Sequence, residues 1–233
     1  VSGMKVAYSP DLGIFPVEES VAKVVQKATE AFKDLGVQVD QVEIKIDRTQ
    51  QELSDLWVRQ MAMLHLELAD MFKPQGIDLL GEHNSMLTPT FAKTLEIGQK
   101  MSAWDVRSGE LLRSSVYDPI QDILDDYDFI VSPTLSVPPF KNATDGNTLG
   151  PTEVNGESVD PTIGWCMTYP INYTGNPAAS IPAGFTKGGL PIGMQIIGRR
   201  HGDEDLLAIS AAFERARPWF QSYLDLEDKH NGK

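Results

Sequence analysis

Hydrophobic residues recur every three or four positions through Val17, Val21, Val24, Val25, Ala28, Phe32 and Leu35, which predicts an amphipathic helix. Glu18 and Glu19 suit its N-terminal dipole, and Gly36 falls where a C-terminal cap belongs. Ahead of it, Lys5 to Tyr8 reads as a short strand, stopped by the turn residues Ser9-Pro10-Asp11-Leu12-Gly13. Behind it, Val37 and Val39 alternate, and then Val42, Ile44 and Ile46 alternate in a shifted phase. That pattern predicts a strand with a bulge or irregularity near Asp40. Together these pieces form a βαβ unit with parallel strands and a right-handed crossover.

From Thr49 to Phe72 the stripe Leu53, Trp57, Met61, Leu64, Leu68 and Met71 predicts a core-facing helix, ended by Pro74-Gln75-Gly76. Less regular sequence carrying His83 and Asn84 precedes a second helical stretch, Pro89 to Gln99. Ser102 with Asp105 has the form of a capping box, opening a helix that runs through Trp104, Leu111, Leu112 and Val116 towards Leu124. Pro119 is expected to kink or break it, since proline lacks the amide donor. Asp128 to Val131 is a strand, and the Pro-rich, polar run that follows includes residues 141–161. Twenty-one such residues imply either a functional surface loop or a cover over a neighbour. Pro177 to Phe185 and Leu190 to Gly198 form a hairpin, with Gly188-Gly189 able to adopt the positive φ of its turn. A last helix opens at Asp203, Glu204 and Asp205, buries Leu206, Ile209, Phe213 and Ala216, and closes at Pro218. The polar tail from Asp225 to Lys233 is expected to fray.

This alternation defines an α/β protein, and 233 residues suffice for one large domain. A net charge of -13 argues against nucleic acid, whose binding draws its affinity from Lys and Arg. No apolar run is long enough to span a membrane, and no signal peptide is visible at the N-terminus. The single cysteine, Cys166, can close no internal disulfide and completes no thiolate metal site, which fits a reducing, cytoplasmic setting. His65, His83, His201 and His230 are scattered without metal-ligand spacing. Neither nucleotide-binding glycine motif occurs. Ser132 and Ser180 lie beside strands but outside any Gly-x-Ser-x-Gly elbow, and Asp122, Asp125, Asp126 and Asp128 read as a solvated helix end. The residues by themselves thus describe a scaffold without a catalytic constellation.

Several ordered segments change that picture. They are Met4 to Gly13, Leu35 to Asp40, Tyr127-Asp-Phe-Ile-Val-Ser-Pro-Thr134, Tyr169-Pro-Ile-Asn172 leading into Gly175 to Gly184, Gly202 to Leu207, and Phe213 to Trp219. In this order they resemble the C-terminal half of amidase signature hydrolases. The resemblance implies a mixed β-sheet flanked by helices and hydrolysis of an amide C–N bond without a cofactor. Chemistry in that family uses a Ser nucleophile, a second Ser in a cis peptide and a Lys base, near a Gly/Ser-rich segment. This chain has no Gly-Gly-Ser-Ser-Gly-Gly segment, so no catalytic residue is assigned. Residues 1–233 are expected to form one incomplete C-terminal region, completed by an N-terminal amidase half in the same polypeptide or in a second chain.

By the same resemblance, Gly164 to Thr168 forms a wall of the substrate pocket, with Trp165, Cys166, Tyr169 and Asn172 as candidate residues. Cys166 also reads as a small packed residue. Aminoacyl-tRNA amidotransferase subunits resemble the chain too, but commonly carry an acidic residue where Trp165 falls. Trp165 therefore favours a small uncharged or aromatic amide. Arg113 matches an arginine that those subunits use for a substrate carboxylate, and reads equally as a helix-surface residue. Two alternatives stay open, a non-catalytic scaffold or binding chain and an amidotransferase subunit.

Overall fold

The computed structural model describes residues 1–230, with side chains through Leu226. Its centre is a 5-stranded sheet in which β1 (Lys5–Tyr8) pairs in parallel with β2 (Gln38–Gln41) on one side and β3 (Phe129–Pro133) on the other. The hairpin strands β6 (Ala178–Phe185) and β7 (Pro191–Gly198) complete it, β7 lying antiparallel to β3 and β6 forming an edge. The sheet is therefore mixed, as expected. All of β3 is buried, since a central strand is covered on both faces, and its one polar side chain, Ser132, is hydrogen-bonded to Gln195.

One face presents Ala7, Ile130 and Ile197 to the helices α2 (Gln50–Phe72), α4 (Ala103–Asp126) and α5 (Tyr169–Thr174). The other presents Val6, Phe129, Val131 and Ile196 to α1 (Glu19–Asp34) and α6 (Asp203–Ala216). These are the two faces that strand alternation creates. The predicted capping box closes on α4, where Asp105 N donates to Ser102 Oγ and Ser102 N to Asp105 Oδ2.

Several expectations need correction. β2 ends at Gln41 and its register with β1 is continuous, without the bulge expected at Asp40. Val42 N still donates to Tyr8 O at 2.9 Å, but β1 stops there, so Ile44 and Ile46 reach the core without a partner strand. The α2 stripe enters the core only through its first turns. Leu64 and Met71 are 52% and 70% exposed. Beyond Trp57 the helix packs on α3 (Pro89–Lys100) through Ala62 and Leu66 against Gly98, so small residues choose the contact face. On α4, Trp104 and Leu111 are likewise exposed.

Pro119 does not break α4, which continues to Asp126 because Val116, Ile120 and Leu124 are buried on either side of it. In the hairpin turn only Gly189 takes positive φ. Ala216 is exposed at the end of α6. The tail forms α7 (Phe220–His230) instead of fraying, while residues 231–233 lie outside the described residues. The polar run after β3 carries a small ribbon, β4 (Glu153–Val154) and β5 (Glu157–Ser158). Asn155 and Gly156 both have positive φ between them, the conformation that a tight antiparallel ribbon requires. No described helix is long and apolar enough to cross a membrane.

Candidate functional site

A row of polar side chains crosses the sheet at the carboxyl ends of its parallel strands. Register pairs Ser132 of β3 with Gln195 of β7, and Gln195 with Ser180 of β6. Ser9 extends the row, its N–H reaching Val131 O one residue past the end of β1. Ser132 and Gln195 lie two residues from Ile130 and Ile197, so they share the face turned to α2, α4 and α5. Ser9, Ser132 and Gln195 are at most 1% exposed, whereas Ser180 lies open on the edge strand, 2.9 Å from Thr134 Oγ1. Among the described residues neither Ser132 nor Ser180 has a basic side chain as hydrogen-bond partner.

The segment 163–168 lies against the end of this row. Ser136 N donates to Trp165 O and Met167 N to Thr134 O, at 2.9 and 3.1 Å. Trp165 is half-buried, its Nε1 donating to Pro161 O at 3.1 Å and its ring meeting Phe140 edge-on. Val137, Val154 and Val159 pack beside it, so the polar run after β3 folds back as a cover over the indole. A Cβ at Gly150 would fall on the indole nitrogen. Gly150→Ala is therefore expected to displace the ring, shift tryptophan emission and lower stability by about 1–3 kcal/mol, as overpacking does. Fluorescence and thermal unfolding check this, and an unchanged emission spectrum would show that the loop yields and the indole does not.

Cys166 is half-buried, with Sγ 3.0 Å from Thr168 Oγ1. Tyr169 opens α5 and is 1% exposed, enclosed by Phe15 and Tyr173 at ring-centroid distances of 5.9 Å. Its hydroxyl lies 3.2 Å from Ser54 Oγ on α2, and Tyr173 donates to Leu53 O at 2.9 Å, so two phenols bolt α5 to α2. Burial pushes the Tyr169 hydroxyl up to about 12, with the Ser54 and Gln50 contacts opposing the rise. Burial likewise raises Tyr173. Asn172 is exposed. Arg113 on α4 donates from Nε to Tyr173 O at 3.1 Å and from Nη1 to Glu110 at 3.1 Å, which joins it to α5.

The structure thus gathers Arg113, Tyr169 and Asn172 at α5, next to Trp165 and Cys166. It encloses Tyr169 and leaves Asn172 open. A separate groove of about 780 Å³ lies between the β6–β7 hairpin and the C-terminal segment, lined by Ser180, Ile181, Phe185, Ile192, Trp219 and Tyr223. None of the five candidates lines it. Sequence reasoning missed Gln195, although it is the one side chain in Pro191-Ile-Gly-Met-Gln-Ile-Ile-Gly198 capable of side-chain hydrogen bonding. Among the described residues no group of three or more His, Cys, Asp or Glu could hold a metal ion.

Residues 1–207 match the family described as Amidase, and the chain is a member of that family. Among its relatives is an acylamidase of Rhodococcus erythropolis, 31% identical over 94% of this chain and 43% of that protein. A solved bacterial aryl acylamidase belonging to the amidase signature enzymes superposes with a TM-score of 0.91 and 41% identity, over 96% of this chain and 45% of that one. A solved glutamyl-tRNA(Gln) amidotransferase chain of Thermotoga maritima gives a TM-score of 0.56 and 26% identity over 94% and 44%. The chain spans less than half the length of each.

Proposed function

We propose that this chain is the C-terminal half of an amidase signature hydrolase. The enzyme splits the C–N bond of a small uncharged or aromatic amide into an acid and an amine or ammonia. The chain contributes scaffold and pocket wall, and an N-terminal half contributes the Ser nucleophile, second Ser and Lys base. The observation that carries the reading is the fit to an aryl acylamidase at TM-score 0.91 over 96% of the chain but 45% of that protein.

Two features support an incomplete domain. Among the described residues β6 is a sheet edge whose outer backbone groups meet no strand, and Trp104, Leu111, Leu64 and Met71 stand exposed on the helices. Such edges and faces call for a covering partner. Trp165 and Cys166 form the wall, Tyr169 and Arg113 hold it from behind, and Asn172 stands at its open side. The amidotransferase reading has the weaker structural match, 0.56, and a net charge of -13 that would repel tRNA.

A serine-directed fluorophosphonate tests the proposal. Label is expected on a co-purifying N-terminal half, or in the N-terminal region of a longer polypeptide, and not on residues 1–233. Labelling within this chain, or none in any assembled preparation, would discard it, the second result favouring a non-catalytic scaffold.

A further inference from the structure

Gln195 occupies an unusual place for a carboxamide. It is 1% exposed in the middle of β7, and its Nε2 meets three acceptors: Met167 O at 2.9 Å, Ser132 Oγ at 2.9 Å and Pro133 O at 3.2 Å. Two of these are carbonyls that can only accept, so the amide orientation is dictated by its surroundings. The Ser132 hydroxyl donates onward to Pro133 O at 3.3 Å. Among the described residues Oε1 has no partner, so every hydrogen bond this side chain makes is donated by Nε2.

Met167 is the informative partner. It ends the segment carrying Trp165 and Cys166, which otherwise holds to the residues after β3 through Ser136 N to Trp165 O and Met167 N to Thr134 O. Both bonds lie on the Thr134 to Ser136 side. Gln195 comes from the neighbouring strand and supplies a tie that those two do not. A buried hydrogen bond without competing water is geometrically demanding, so it sets where the segment sits as well as whether it stays.

We infer that Gln195 is a positioning residue that clamps the Trp165–Met167 wall onto the sheet and thereby sets how tightly the amide substrate is held. This rests on the pocket assignment proposed above. It acts through Met167 and touches neither substrate nor nucleophile. Its loss therefore weakens substrate binding more than it slows the bond-breaking step, since positioning of a remote wall contributes to ground state and transition state alike.

The test uses Gln195→Met, which keeps length and removes both donors, and Gln195→Glu, which as a neutral acid keeps one donor. Hydrogen exchange is measured on the chain itself. The Met167 and Ser136 amides are expected to exchange at least about 10-fold faster in Gln195→Met, with Val6 and Ile130 unchanged, because local and global openings separate in such data. Should that variant not fold, Gln195→Glu carries the same comparison with a smaller increase. Unchanged exchange at Met167, or an equal increase at Val6 and Ile130, overturns the clamp, the latter by making Gln195 a general support of the fold.

Kinetics on the chain assembled with an amidase N-terminal half should show KM for 4-nitroacetanilide raised roughly 10-fold in Gln195→Met, kcat within about 2-fold, and an intermediate KM in Gln195→Glu. A fall in kcat with KM unchanged overturns the binding role. If the wild-type assembly does not hydrolyse the anilide, the proposed function fails, and the exchange data still decide the clamp.

Discussion

Purified by itself, the chain will release 4-nitroaniline from 4-nitroacetanilide no faster than buffer does. Assembled with an amidase N-terminal half, it will do so at least about 10⁶-fold faster, the low end of enzymatic acceleration. The physical ground is the state of its serines. A hydroxyl attacks a carbonyl only when a neighbouring base takes its proton and donors await the oxyanion. Ser9, Ser54, Ser132 and Ser136 are fully buried, beyond reach of a substrate. Ser180 is reachable, but its partner is the Thr134 hydroxyl, which cannot hold the proton. Stopped assays on the chain alone, the half alone and the mixture measure this. Hydrolysis by the chain alone at the rate of the mixture would place a nucleophile within residues 1–233 and end the two-half reading.

The elements legible in the sequence are those whose signal is local. α1 follows from its 3.6-residue period, β1 and β3 from short apolar runs bounded by turn residues, the hairpin from its Gly188-Gly189 turn, and the Ser102–Asp105 cap from two side chains three residues apart. Errors arise where a distant neighbour decides. Val42 to Ile46 alternate as a strand does, yet β1 has run out beside them. The α2 stripe is a fair amphipathic pattern, yet α3 packs on the small-residue side. α5 leaves no such signal because six residues make no periodic pattern, although Pro170 in its first turn is a start signal. At the site, the place of Trp165 is legible only as part of a resembling segment. Its burial depends on Val154 and Val159 folding back over it, a long-range event with no local trace. Tyr169 is the clearest case, because Phe15 and Ser54, which enclose it, lie more than a hundred residues earlier in the chain.

Tyr169→Ala is accordingly expected to cost about 3–5 kcal/mol, the range for removing a large aromatic from a packed core. It empties the space between Phe15 and Tyr173 and releases one of the two phenols that bolt α5 to α2. Against the roughly 5–15 kcal/mol that keeps a domain folded, that is a large share. Tyr169→Phe keeps the ring and gives up only the hydroxyl contacts, a cost near about 1 kcal/mol. Urea midpoints at constant m-value measure both, and equal midpoints for Ala and wild type would mean that the ring lines an open surface and not the core. The phenol also predicts a pH dependence. Its folded value is about 12 against 10.0 unfolded, so the native state keeps a proton that the unfolded chain has lost. Stability is then full below pH 10 and falls between pH 10 and 12, by roughly 2–3 kcal/mol for this group. Tyr8, also near 12 through burial, and Tyr173, raised by burial, steepen the same fall. Tyr169→Phe should therefore start about 1 kcal/mol less stable at neutral pH and lose less than wild type on going to pH 12. A parallel decline of the two would show that the Tyr169 hydroxyl meets solvent in the folded chain.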